Sequence, residues 1–334
     1  MVSGFWKKLK LNQMIWKQKT KNKKQKIKTE TPGGKQVNKS KAKSQTFNTT
    51  IDTIAIKTDV NNFEDFTKVN KKTYDYIERL NDSFDNSKMS LKVNLHNKYG
   101  EMTLNSLTEY NKALQYSLDE LGVLNMNEVE LNRIDVALDT NEYTIQRDFK
   151  KMLFVFELLT IKHKKSDRWY TTNLNTLERN TIKLYDSRFE LEIYDKAKAS
   201  NNMHPFATRV EFRYKRLSTD IQENELYLEK VTKKIEEMDG KLLQLENNMS
   251  KRLIKLYQAD KDKVLSFSEF VRKYNDYFYT LNILKAVYKE TGLKGSYSNW
   301  LKDFRKTSEL KFYTKKDVKE LQKEMKNSLK MYMN

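Results

Sequence analysis

The sequence of 334 residues contains no cysteine, two prolines, eight glycines and three histidines. Without cysteine there is no disulfide framework, thiolate zinc site or thiol nucleophile, which suits a reducing, cytoplasmic setting. The histidines His96, His163 and His204 stand alone, so no paired-histidine metal motif is present. No apolar run reaches the ~20 residues of a membrane-spanning helix. The densest, Leu153-Phe-Val-Phe-Glu157-Leu-Leu, is far too short, and the N-terminal residues carry no apolar signal core.

Positive charge is abundant and unevenly placed. Lysine and arginine total 64 against 45 acids, a net charge of +19. Residues 1–45 hold fourteen lysines and one acid, Glu30, leaving 50 basic and 44 acidic groups for the rest. Residues 1–46, with Pro32-Gly33-Gly34 in their midst, read as a basic disordered tail interrupted by Trp6 and Trp16. The partner expected of such a balance is a polyanion: DNA, RNA or an anionic membrane surface.

Globular patterning begins near residue 50. Strands are predicted at 51–58 and 90–96, with a helix at about 62–80 between them and another at about 104–121. A strand over 133–139 and a helix at about 145–162 follow, then strands at 168–172, 180–185, 188–196 and 207–215. This mixture predicts an α+β domain over 47–216, with an antiparallel sheet carrying helices on one face and a polar opposite face. From 217 to 334 the chain reads as all-α. Ile221, Leu228, Ile235, Leu242, Met249 and Leu256 recur in heptads, predicting one long helix in either an intramolecular hairpin or a homodimeric coiled coil. A second helix is predicted over about 266–290.

Three of the strand patterns carry charge at alternate positions: Arg133-Ile-Asp-Val-Ala-Leu-Asp139, Phe189-Glu-Leu-Glu-Ile-Tyr-Asp195 and Arg209-Val-Glu-Phe-Arg-Tyr-Lys215. Side chains alternate across a strand, so Asp135, Asp139, Glu190, Glu192, Tyr194, Arg209, Glu211 and Arg213 converge if these strands pair. One reading is a solvated face of cross-strand ion pairs. Another is a metal site, because Asp135 and Asp139 repel along one face unless a cation neutralises them. Hard carboxylate oxygens bind Mg²⁺ or Mn²⁺, a tyrosine can attack phosphorus, and arginines clamp phosphate oxygens.

The block Arg133-Ile-Asp-Val-Ala-Leu-Asp139, then Ile193-Tyr-Asp-Lys196, then Arg209-Val-Glu211 resembles the Rep_trans family of rolling-circle replication initiators and related relaxases, over about residues 50–216. The resemblance implies nicking of origin DNA: a tyrosine forms a 5′-phosphotyrosyl link and frees a 3′-hydroxyl primer. Carried over by position, Tyr194 is the nucleophile with Lys196 beside it, and Asp135, Asp139, Glu211 and Glu192 are candidate ligands for Mg²⁺ or Mn²⁺. Arg133, Arg209, Arg213 and Lys215 are candidate phosphate contacts. Partners implied are double-stranded origin DNA, the single-stranded nicked product and a host helicase. Glu192 departs from the family, which often has arginine two residues before the tyrosine, and Tyr185 is a rival nucleophile.

Other readings stay open. A binding-only initiator would grip origin DNA without cleaving it, and a palm-like nucleotidyltransferase would use Asp135 and Asp139 as a metal pair. A membrane-surface scaffold would use the tail and the heptads. Sequence reading of DNA is placed near 294–316, where Trp300 and Arg305 could enter a groove.

Overall fold

The structure is a computed structural model. It describes residues 46–69, 74–80, 87–100, 103–163, 168–172, 179–200, 204–260, 266–308 and 310–334. The expected basic tail, with Trp6 and Trp16, lies outside the described residues apart from its last position.

Eight strands form one sheet: β1 (Asn48–Asp59), β2 (Ile77–Leu80), β3 (Lys88–Val93), β4 (Glu130–Thr140), β5 (Arg168–Thr172), β6 (Arg179–Tyr185), β7 (Phe189–Asp195) and β8 (Thr208–Asp220). Their spatial order is β2-β3-β1-β4-β8-β7-β6-β5. Pairing is antiparallel at β1–β3, β2–β3, β5–β6 and β6–β7. The three charged patterns of the sequence therefore do become neighbours, in the order β4-β8-β7. The expected α+β sheet and helical C-terminal region are both present.

The helix expected over 62–80 does not form. Two 3₁₀ turns, Val60–Asn62 and Phe66–Lys68, and the strand β2 take its place. Asp59 and Asp65 explain the difference, because each side chain accepts a hydrogen bond from a backbone N–H two residues on, at Asn61 and Thr67. Such local bonds compete with helix formation. His96, expected at the end of a strand, instead sits in the short helical turn Leu95–Tyr99.

Two compact units divide the chain, and β4 and β8 contribute residues to both. The first holds the described residues up to Ala137, with Arg213–Leu228 and Lys330–Asn334. Helix α1 (Leu107–Glu120) belongs to it and buries Leu107, Tyr110, Ala113, Leu114 and Leu118, one stripe at helical spacing. Ser106 caps its first turn by accepting from the Glu109 N–H. Within this unit the Ile51 N–H donates to the Tyr332 hydroxyl at 3.3 Å.

The second unit holds Leu138–Phe212 and Glu229–Leu329. Helix α2 (Phe149–Thr160) is buried on every side from Met152 to Thr160, because it packs on β6 and β7 and also meets a C-terminal helix. That accounts for the densest apolar run of the sequence: a helix covered all round has no face to leave polar.

The heptad stretch is carried by two helices, α3 (Asn224–Glu236) and α4 (Leu242–Asp260), rather than by one. Asp239 and Gly240, both poor helix formers, fall in the turn between them. Gln322, on helix α8 (Lys315–Met333), donates to the Ile235 and Glu236 carbonyls at 2.8 and 3.0 Å, serving the freed end of α3. The apolar stripe nonetheless stays buried through the break, at Leu228, Val231, Ile235, Met238, Leu245, Met249 and Leu253. The second expected helix also divides, into α5 (Phe267–Lys273), a 3₁₀ turn at Asn275–Tyr277 and α6 (Leu281–Glu290). Helix α4 packs on α6 within this unit.

Lys150, at the start of α2, donates to Asn275 Oδ1 at 3.1 Å and lies 5.3 Å from the Phe312 ring centre. Burial lowers its amine to about 8. The unfolded chain therefore holds a proton that the folded chain has lost between about pH 8 and the ordinary lysine value. Stability contributed by this site rises with pH across that window. Lys150→Met is expected to raise the melting temperature at pH 7, with the gain over wild type shrinking as pH approaches 10; melts across that range check it.

Candidate functional site

Charge on the central strands is buried. Asp135, Asp139, Arg209 and Glu211 are each no more than 2% exposed. The polar sheet face expected from alternation is thus not a solvated one at β4 and β8, the two middle strands of the sheet. On the Asp135 side, Tyr110 of α1 is fully buried and feels the charge of Asp135 and of Asp52 on β1. Buried charges are costly unless paired, so their partners decide what each can do.

Asp139 is taken up by Arg209. The guanidinium donates twice, Nε to Oδ1 and Nη2 to Oδ2, both at 2.7 Å. His204 closes this group, with Nε2 3.3 Å from Arg209 Nη2 and 3.8 Å from Asp139 Oδ2. The Phe206 N–H donates to its Nδ1. Asp135 has two arginines. Arg133, two residues away on the same strand, donates Nε to Oδ1 at 2.8 Å and Nη2 to Oδ2 at 2.5 Å. Arg213 Nε lies 3.8 Å from Oδ2. The Asp139–Arg209 and Asp135–Arg213 pairs each join β4 to β8, its neighbour in the sheet.

Tyr194, on β7, donates its hydroxyl proton to Glu211 Oε2 at 2.9 Å. Its β7 neighbours on that face are Glu190 and Glu192, whose carboxylates lie 3.6 and 3.4 Å from Lys183 Nζ on β6. Register supports this pairing, since Lys183 lies opposite Glu192 and Thr181 opposite Tyr194. Glu192 thus has Lys183 as an ion-pair partner across β6 and β7. The rival Tyr185 is 57% exposed, opposite Glu190. Lys196 begins a helical turn, its N–H donating to the Ala207 carbonyl, and Lys215 is half-buried further along β8.

Asp52, Asp135 and Glu211 each bring one carboxylate oxygen within 4.8 Å of the others. Two oxygens sharing a cation at 2.0–2.6 Å can be no further apart than about 5 Å, so three hard oxygen donors at this spacing fit Mg²⁺ or Mn²⁺. Among the described residues the Tyr110 hydroxyl, buried and feeling the charge of two of these acids, has no hydrogen-bond partner, as the vicinity of a hydrated ion would accommodate. Sequence reasoning missed Asp52 and Tyr110. Asp52 lies in a strand of ordinary alternation, and only its pairing with β4 makes it a neighbour of Asp135. His96, by contrast, is held by Thr50 Oγ1 at 2.9 Å and the Ile51 carbonyl at 3.1 Å.

Trp300, expected to reach DNA, belongs to an aromatic cluster. On helix α7 (Tyr297–Lys306), it stacks on Phe304 with ring centres 4.9 Å apart, meets Phe267 edge-on and donates Nε1–H to Ser268.

No family model matches the chain, and no curated protein sequence matches it. Among solved structures, a rolling circle replication initiator protein from Geobacillus stearothermophilus is similar over 51% of this chain and 74% of its own. The identity there is 11% and the TM-score 0.30. Among the described residues, no helix is long and apolar enough to cross a membrane.

Removing one partner of a buried ion pair typically costs about 3–5 kcal/mol. Asp139→Ala is expected to destabilise the protein by that order, and Asp139→Leu combined with Arg209→Met to recover most of the loss. Urea titrations of the three variants measure both effects.

Proposed function

We propose that this chain is a replication initiator that nicks one strand of origin DNA through Tyr194. The observation carrying the reading is the 2.9 Å hydrogen bond from the Tyr194 hydroxyl to Glu211, itself one of three clustered acids. A tyrosine aimed at a carboxylate has an acceptor for its proton at the moment of attack. The resemblance of the three strand motifs to rolling-circle initiators and the basic balance of the chain point the same way.

Glu211 accepts the Tyr194 proton while the phenolic oxygen attacks phosphorus. A tyrosyl–phosphate bond forms to the 5′ side, and the bond to the 3′ oxygen breaks. That oxygen takes up a proton and becomes the primer hydroxyl. Asp52, Asp135 and Glu211 would hold Mg²⁺ or Mn²⁺, which when bound there offsets charge developing on the phosphate. Arg133 and Arg213, both partly exposed, would be drawn from Asp135 toward a phosphate once a cation occupies the acids. Lys196 and Lys215 would add positive charge along the DNA track, and Glu192, salt-bridged to Lys183, would orient β7 beside the tyrosine. In this reading residues 47–216 form the nicking domain and 217–334 a helical accessory region.

A binding-only initiator is the second reading, and one observation favours it: Arg133 already neutralises both Asp135 oxygens without a cation. Supercoiled plasmid carrying the chain's own gene and flanking DNA, incubated with Mg²⁺ or Mn²⁺, separates the two. Nicked circles with a peptide-blocked 5′ end are expected, abolished by Tyr194→Phe with DNA affinity retained. Asp52→Asn is expected to shift the Mn²⁺ titration of nicking to higher concentration. Binding without cleavage under either metal would give the site to the second reading.

A further inference from the structure

Helix α4 has one buried face and one exposed face of unusual composition. Inward lie Leu242, Leu245, Met249 and Leu253. The exposed positions from Asn247 to Ala259 are Asn247, Asn248, Lys251, Lys255, Gln258 and Ala259, with Arg252 half-exposed among them. Over three turns, in a chain with 45 acids, this face carries cations and amides and no carboxylate.

The surface is also concave. Asn248, Lys251, Arg252, Lys255 and Leu256 line a groove of about 480 Å³. Positions 248, 252 and 255 recur at helical spacing, so their side chains emerge along a single line. Among the described residues, no carboxylate lies within ion-pair distance of Lys251, Arg252 or Lys255. Arg252 is instead propped over the Tyr277 ring, 4.9 Å from its centre, which holds the guanidinium at the groove while leaving its N–H donors unspent. Elsewhere in the same unit, other lysines have acid partners: Lys241 with Glu237, Lys273 with Asp260, and Lys306 with Asp303.

We propose that this face of α4 is a second DNA-binding surface, gripping the phosphate backbone of duplex outside the nicking site. Three unpaired cations converging on a groove cost self-repulsion in the free protein, and a polyphosphate backbone relieves it. The amides of Asn247, Asn248 and Gln258 supply hydrogen-bond donors for phosphate and sugar oxygens on either side. An anionic bilayer is the poorer fit, because such a surface helix needs a wide exposed apolar face and Leu256 is the one large apolar side chain at the groove. The proposal requires that the partner be DNA, as the preceding reading does, but not that Tyr194 cut it.

The test is fluorescence anisotropy of the full-length protein with a labelled duplex, titrated across salt concentrations. Three phosphate contacts contribute about −0.9 each to the slope of log affinity against log salt. Replacing Lys251, Arg252 and Lys255 together by glutamine is expected to flatten that slope by roughly 2 to 3. Affinity near 0.1 M salt should fall at least tenfold, while Lys251→Arg with Lys255→Arg retains wild-type binding. Unaltered melting of the glutamine variant establishes that the fold is intact. An unchanged slope overturns the proposal, as does a variant that keeps its DNA affinity but loses binding to phosphatidylserine vesicles. Tyr194→Phe run alongside keeps the two readings apart: it removes nicking and leaves the slope as it was.

Discussion

Burial of charge on the two middle strands is the constraint from which the rest of the site follows. Asp139 and Arg209 face each other across β4 and β8, nearly inaccessible to water, and meet the desolvation cost by a two-pronged pair. With that pair fixed, both Asp139 oxygens accept from one guanidinium, and Asp135 and Glu211 are its acidic neighbours along the same face. Asp135, four residues earlier on β4, has guanidinium partners that are partly exposed. Glu211 lies between the two pairs along β8, and its carboxylate receives the tyrosine.

Much of this was legible in the sequence because a strand's period of two is a strong local signal. Alternation located β4, β6, β7 and β8 closely and identified Asp135, Glu211 and Tyr194 as sharing a face. What alternation cannot encode is which acid meets which cation across strands. Asp139 and Asp135 look equivalent in sequence, and only the ladder register gives one a fully buried arginine and the other a half-exposed one. Asp52 was missed for the same reason: its role depends on β1 lying beside β4, a pairing between segments some eighty residues apart. The heptads told the truth about burial but not about continuity. The stripe from Leu228 to Leu253 is buried as expected, while Asp239 and Gly240 break the backbone beneath it.

The C-terminal helices also show how an apolar surface on one element sets the composition of another. Helix α2, packed against β6 and β7, still has an apolar outer side, and C-terminal aromatic groups cover it: Phe154 stacks on Tyr313 and leans on Tyr279. Trp300, which the sequence placed near a DNA groove, is spent on Phe304 and Phe267.

The hydrogen bond between the Ile51 N–H and the Tyr332 hydroxyl joins residues 281 positions apart. During synthesis at roughly 5–20 residues per second, β1 emerges some 15 to 55 seconds before that partner exists. Of its two sheet neighbours, β3 follows closely in sequence, but β4 arrives well after it. The edge of β1 that faces β4 therefore waits unfinished until Glu130–Thr140 has been made, with Asp52 as the one charge on the stretch Thr49-Thr50-Ile-Asp-Thr53.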